Sequence, residues 1–431
     1  MTTTRADETH APTPAERTPA PRPVARTSTT ALLLLRRSAG RTAAPFFLLL
    51  VVLNTVLRSM TWKHEPMWAV YQYNFTVMLL GPLLAGVAGW EGYRLSRAET
   101  FLAAHHRPLT ILATAWAALL AWCAAAFLTG LAVVIGIVIW SGTPLTIGVP
   151  ELLTPLPALG LLGLACAAGL AAGWLGRGKL AAPMAAVSVF LAFLLLYAGD
   201  LSEFVMVGGA TSSLVGLRPK ADTQLAQLAF YLAATLLTLC ATAWSAAWHY
   251  PRRLGTAVAC ALLSVTTALN LASVDPLYLE ARPGDVRCYG SRPEICLGHG
   301  YTQYEPRLRA ALAPMVQAVS SLPLPTPKAF RQDALSTSTD LGQLSTDTVT
   351  GDPDLLLDMF LGTYYGSTCD IEPGSAMDRN FTNARFWLAG AAGATPFEDP
   401  ALDPRLRTGT PSERAAIART ALQGLKACRA H

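Results

Sequence analysis

Seven long apolar runs, separated by short polar breaks, dominate the middle of this chain. They cover residues 43–57, 67–90, 109–140, 153–176, 180–199, 225–248 and 254–274. A bilayer core of about 30 Å takes about 20 apolar residues in a helix. Only helices and closed barrels satisfy every backbone polar group at that depth. Continuous runs of this length therefore predict an α-helical integral membrane protein. The first run is short by that measure, and extension back through Arg41 would bring it to length. The third exceeds one crossing at about 1.5 Å per residue, so it is expected to tilt, to protrude, or to bend near Gly130 or Gly136. Composition agrees, since only 14% of residues are charged, against about 25% in soluble chains.

Charge sets the expected orientation. Arg36, Arg37, Arg41, Arg94, Arg97 and Arg107 fall on one set of connections, and Arg177, Lys179, Arg252 and Arg253 join them. The alternate set holds Arg58, Lys63, Arg218 and Lys220. Basic residues mark the cytoplasmic side, so the N-terminus is expected inside and residues 275–431 outside, on a multi-pass protein of the plasma membrane. Residues 1–30, rich in Thr, Pro, Ala and Arg, read as a disordered cytoplasmic tail and not as a signal peptide. Residues 31–42 read as an amphipathic interfacial helix. Residues 43–250 then form a six-span domain, and 251–274 a seventh transmembrane helix. The outer connection 200–222 holds Phe204-Val205-Met206-Val207-Gly208-Gly209. It is apolar enough to dip into the outer leaflet, where irregular backbone must be buried in protein; a plain surface loop is the alternative.

From residue 275 the chain turns polar and Pro-rich, as a small, mostly helical extracytoplasmic domain with some strand. It holds Cys288, Cys296, Cys369 and Cys428, while Cys123, Cys166, Cys240 and Cys260 fall inside spans. Four cysteines in an oxidising compartment imply disulfides. Of three possible pairings, Cys288 with Cys296 closes a tight loop and Cys369 with Cys428 pins the last helix. Zinc is the rival reading, with His299 the nearby imidazole. Helices are expected over 305–321, from Asp352-Pro353 to Tyr365, over 380–392, and from the capping box Thr410-Pro411-Ser412-Glu413 to Cys428. Strands are expected within 285–297 and 335–350.

No phosphate loop, His-Glu-x-x-His or Gly-x-Ser-x-Gly motif occurs. No catalytic or metal residues are therefore assigned. The chain lacks the basic stripe of a nucleic-acid binder; residues 274–431 hold fifteen basic against eighteen acidic residues. Asp352, Asp354 and Asp358 read as a solvated helix face, and Tyr364 and Tyr365 as packing. The deep polar groups are Asn54, Gln72, Asn74 and Asn270, with no charge at a span centre, so an ion relay is not evident.

Between the second and third runs lies a polar island from Glu91 to Pro108. Leu95, Ala98, Phe101 and Leu102 share one helical face there, and Pro108 closes the segment. Glu91, Arg94, Arg97, Glu99, Thr100, Phe101, Leu102 and Pro108 follow the order of a loop in ABC-2-type permeases, and the chain resembles that family. The resemblance implies a six-span ABC-2-like domain, with the island as the coupling helix that rests in a groove of a separate ATPase. ATP and Mg would be bound by that partner, with no cofactor in this chain, and a second permease subunit would complete the path. The substrate would be amphipathic. The C-terminal region resembles an uncharacterised extension fused to some actinobacterial permeases, sharing Cys-x7-Cys and the following Glu-Pro-Arg-Leu, and this implies no known activity. Two other readings remain: a membrane-anchored receptor or scaffold whose outer domain binds a peptide or envelope component, and a membrane-embedded enzyme.

Overall fold

The structure is a computed structural model. It describes residues 35–57, 60–98, 108–143, 152–199, 201–209, 213–245, 251–273, 279–332, 341–351, 353–365, 369, 371–393 and 399–429. The expected tail, residues 1–30, lies outside them.

Among the described residues, six helical segments are long and apolar enough to cross a membrane. The first is α1 (Ala39–Leu57), which begins before Arg41. Leu35 to Arg37 form a helical turn ahead of it, set off by a bend at Ser38. The part of the expected interfacial helix from Ala39 to Thr42 is thus the start of the first span, and 31–34 lie outside the described residues. The second segment is α2 (Pro66–Asn74) followed by α3 (Val77–Arg97), with a turn at Phe75-Thr76 between them. Then come α4 (Pro108–Trp140), α5 (Pro155–Gly176), α6 (Ala181–Ala198) and α7 (Ala221–Ser245). The seventh apolar run coincides with α8 (Pro251–Ser273), which packs against α7.

The bundle is centred on α3 and α5, whose backbones touch. A Cβ on Gly173 would collide with the carbonyl oxygen of Gly89, and one on Gly169 with that of Ala85. Ala85 and Gly89 on one helix and Gly169 and Gly173 on the other are each four residues apart, the small-x-x-x-small spacing that lets membrane helices approach closely. The long α4 is one continuous helix. Gly130 marks close packing instead of a bend, since a Cβ there would meet Val51 and the Tyr73 hydroxyl. Its 33 residues span about 50 Å at 1.5 Å each. The surplus carries Ser141 to the carbonyl of Lys63, at 2.8 Å.

A belt of buried polar side chains ties the half of the bundle nearer the C-terminal domain. Asn54 donates to Thr76 Oγ1 (2.7 Å), and Asn74 donates to the carbonyls of Thr154 (2.8 Å) and Val207 (3.1 Å). Residues 201–209 hold one 3-10 turn, Ser202–Phe204, and are otherwise irregular, and protein groups take up several of their carbonyls. Tyr231 donates to Phe204 O, Gln227 to Met206 O, and Gly208 lies against the backbone of Tyr71. With Val205 and Val207 buried, this segment is an integral part of the bundle and not a surface loop.

The C-terminal domain holds a four-stranded sheet in the order β3 (Val286–Tyr289), β4 (Glu294–Gly298), β5 (Ala329–Arg331), β6 (Leu341–Gln343). The first pair is antiparallel and the others parallel. Helices α9 (Glu305–Ser320), α10 (Thr346–Thr350), α11 (Pro353–Gly362), α12 (Ala376–Ala391), α13 (Arg405–Thr408) and α14 (Pro411–Arg429) pack around it. The expected helices at 305–321 and 411–428 match α9 and α14. The capping box forms both ways, Thr410 N–H donating to Glu413 and Glu413 N–H to Thr410 Oγ1. The helix expected to reach Tyr365 ends at Gly362, in turns that bring Tyr364 OH to Pro325 O. The one expected at 380 starts at Ala376, because Ser375 caps it through Asp378 N–H. The Thr/Ser-rich 335–350 stretch gives β6 and then α10, with 333–340 outside the described residues.

Both disulfides join as expected, Cys288 with Cys296 and Cys369 with Cys428. Cys288 and Cys296 face each other across the β3–β4 hairpin. Among the described residues one group of side chains has metal-ligand proximity, Cys288, Glu294 and Cys296, and two of its three ligand atoms are the sulfurs of that bond.

Candidate functional site

Two clusters stand out, one at each end of the bundle. The first lies where the C-terminal domain meets the spans. Glu65 precedes α2, and Pro66 occupies the first helical position, where its missing N–H costs nothing. The Glu65 side chain makes no bond to its own helix. It crosses to three other segments instead. Its carboxylate accepts from Ser213 Oγ at 2.6 Å, Leu214 N–H at 2.8 Å, Tyr301 OH at 2.7 Å and Thr346 Oγ1 at 3.3 Å. Burial pushes the Glu65 carboxyl above its ordinary range, against the pull of those bonds. Burial, followed by the neighbouring Glu65 charge, raises the Tyr301 hydroxyl as well.

His64 sits beside it, buried, with Nε2 3.1 Å from Tyr304 OH and its ring edge-on to Tyr301 and Tyr304. Burial lowers its pKa, and Lys63 adds to the effect. Its Nδ1 has no hydrogen-bond partner. Gly300 passes directly over the His64 carbonyl, where a Cβ would not fit. The α6–α7 connection completes the junction. Its strand β1 (Leu217–Pro219) pairs antiparallel with β2 (Leu279–Ala281), and Arg218 meets Glu280 at 2.6 Å. Val215 belongs to the hydrophobic core of the C-terminal domain. The spans and the domain are thus one packed body at this end. A small cleft opens beside Glu65, with Thr143, Asp285 and His299 in its wall.

The second cluster is the Glu91 end. Helix α3 runs without a break past Trp90 to Arg97, so the first part of the polar island continues the second span. Glu91 is buried; its carboxylate accepts from Ala39 N–H at 3.2 Å and pairs with Arg94 at 3.2 Å. A carboxylate there meets the unpaired amide groups and positive dipole end of α1. Leu95 faces inward and is also buried, while Arg94 and Arg97 are exposed. Pro108 opens α4. Glu99, Thr100, Phe101 and Leu102 lie outside the described residues. Of the eight island residues singled out from sequence, Glu91 therefore has a structural task that the sequence did not signal. Its partner Ala39 is 52 residues away.

Comparison with known proteins finds no matching family model, no similar curated protein and no similar solved structure. The likeness to ABC-2-type permeases rests on the island residues and the span plan alone.

Proposed function

We propose that this chain is the permease subunit of an ATP-driven exporter of the ABC-2 type. The observation that carries the reading is the end of α3, from which the chain continues toward α4. It presents two exposed arginines, Arg94 and Arg97, and is braced by Glu91 to the start of α1. A push on this end by a bound ATPase would reach α1 and α3 together, and through the Gly89–Gly173 contact α5 as well. Among the described residues no Asp, Glu, Lys or Arg lies at the middle of a span, so the driving energy comes from elsewhere. The ATPase would bind ATP and Mg, and two permease subunits would pair. The N-terminus faces the cytoplasm, α8 makes a seventh crossing, and residues 275–431 lie outside. The apolar walls suit an amphipathic substrate.

Changing Phe101→Asp together with Leu102→Asp should abolish co-purification of an ATPase and its stimulation; unchanged assembly and turnover would refute the coupling role. The cleft beside Glu65 favours a second reading, a membrane-anchored receptor whose outer domain binds a peptide or envelope component. A complex purified from native membranes without any ATPase would favour that reading over the first.

A further inference from the structure

On its outer, membrane-facing side the bundle carries a groove between α1, α3 and α6, with a volume of about 460 Å³. Ligand clefts typically hold roughly 300–1,000 Å³, so a hydrocarbon chain is within its capacity. From α3 the wall is Leu83, Gly86, Val87 and Trp90. That is an i, i+3, i+4, i+7 stripe, one face of a helix. The same stripe continues one turn further to Arg94 and then Arg97, both exposed. Helix α1 repeats the pattern with Ala39, Thr42, Ala43 and Phe46, and exposed Arg36 lies three residues before Ala39. Ala182 and Pro183 of α6 close the third side, with exposed Lys179 three residues before Ala182.

Three helices thus wall one groove, and exposed cations lie toward the same end of it: Arg94 and Arg97 on α3, Arg36 ahead of the bend at Ser38, and Lys179 in the turn before α6. The described acid nearest that end, Glu91, is buried and engaged with Ala39 and Arg94. Trp90 stands exposed on the rim, and an amphipathic ring of that kind suits the boundary between acyl chains and headgroups. We propose that the groove binds an anionic phospholipid, with one acyl chain along α1, α3 and α6 and the phosphate among Arg36, Arg94, Arg97 and Lys179. Charge decides the occupant. A second copy docking here about a two-fold axis would set this cationic mouth against itself, whereas an anionic headgroup complements it. The site requires that the spans lie in a bilayer and does not depend on ATPase coupling.

The test uses the full chain in neutral detergent, offered phosphatidylglycerol and phosphatidylcholine of matched chains, with bound lipid read by native mass spectrometry. Retention of phosphatidylglycerol over phosphatidylcholine is expected. Arg94→Gln with Arg97→Gln should weaken it about fivefold per arginine, and Lys179→Gln should weaken it by one such step. Thr42→Trp, which fills the groove from an exposed position, should expel both lipids while the thermal midpoint stays unchanged. Equal retention of the two lipids, or a preference untouched by the charge variants, overturns the proposal. Competition by glycerol 3-phosphate alone would reduce the site to a phosphate site and overturn the acyl-chain assignment. A lipid-free dimer abolished by Thr42→Trp would show a second copy in the groove and overturn it too. None of these readings involves an ATPase, so failure here leaves the permease reading to its own test.

Discussion

Replacing Glu65 with Ala removes both oxygens on which the junction converges. Ser213 and Thr346 can turn their hydroxyls elsewhere, but Leu214 N–H and Tyr301 OH are buried and lose their main acceptor. A stranded buried donor costs about 1–3 kcal/mol, giving about 2–6 kcal/mol for the two. Relief from burying a carboxylate, the same burial that raises its pKa, offsets part of this. The net expectation is about 1–4 kcal/mol, or roughly 5- to 700-fold faster local opening. Hydrogen–deuterium exchange of 213–219 and 299–304 reads it directly, with the β3–β4 hairpin as internal reference. Glu65→Gln keeps one acceptor and should fall between wild type and Glu65→Ala. The pH sign follows from the raised carboxyl. The closed junction holds the Glu65 proton more tightly than the open one, so closure strengthens as pH falls from the folded value toward the ordinary carboxyl range. It weakens as pH rises through the folded value, and three of the four donors are hydroxyls able to turn and accept that proton. Exchange in Glu65→Ala matching wild type at 213–215 and 301 would refute the reasoning.

Gly173→Leu should drive α3 and α5 apart and cost about 1–3 kcal/mol or more, seen as a lower thermal midpoint in detergent, while Gly136→Ala, with open space around it, should be nearly neutral. Cys428→Ser opens a loop of 59 residues' separation and should destabilise the C-terminal domain by about 4 kcal/mol on loop entropy; chemical denaturation with and without reductant measures it. Glu91→Ala should destabilise the bundle by about 1–2 kcal/mol through loss of its bonds to Ala39 and Arg94, seen as a lower thermal midpoint, whatever it does to ATPase binding.

The spans were legible because hydrophobic length is a local signal, and each apolar run lands within a few residues of a helix. The Cys288–Cys296 disulfide and the α14 cap were legible for the same reason, in that Cys288 and Cys296, and Thr410 and Glu413, are close in sequence. The misses share the opposite property. Strand β5 is three residues, Ala-Phe-Arg, too short for any alternation to register. Gly169-Leu-Ala-Ala-Gly173 stood in plain view, but its meaning lies in the facing Ala85 and Gly89. Glu65 carries no signal in the sequence, because its partners sit 148 to 281 residues further along the chain. Glu91 stands out in the sequence only as part of the polar island, because its partner Ala39 is 52 residues away.

That sequence distance has a consequence for how the protein is made. The ribosome delivers Glu65 long before Tyr301 and Thr346, and strand β1 long before β2. The share of the junction that Tyr301 and Thr346 close must therefore wait until well after α1 to α7 have been made. A chain stopped short of Thr346 would carry α1 to α8 in full and yet leave the rim around Glu65 partly open.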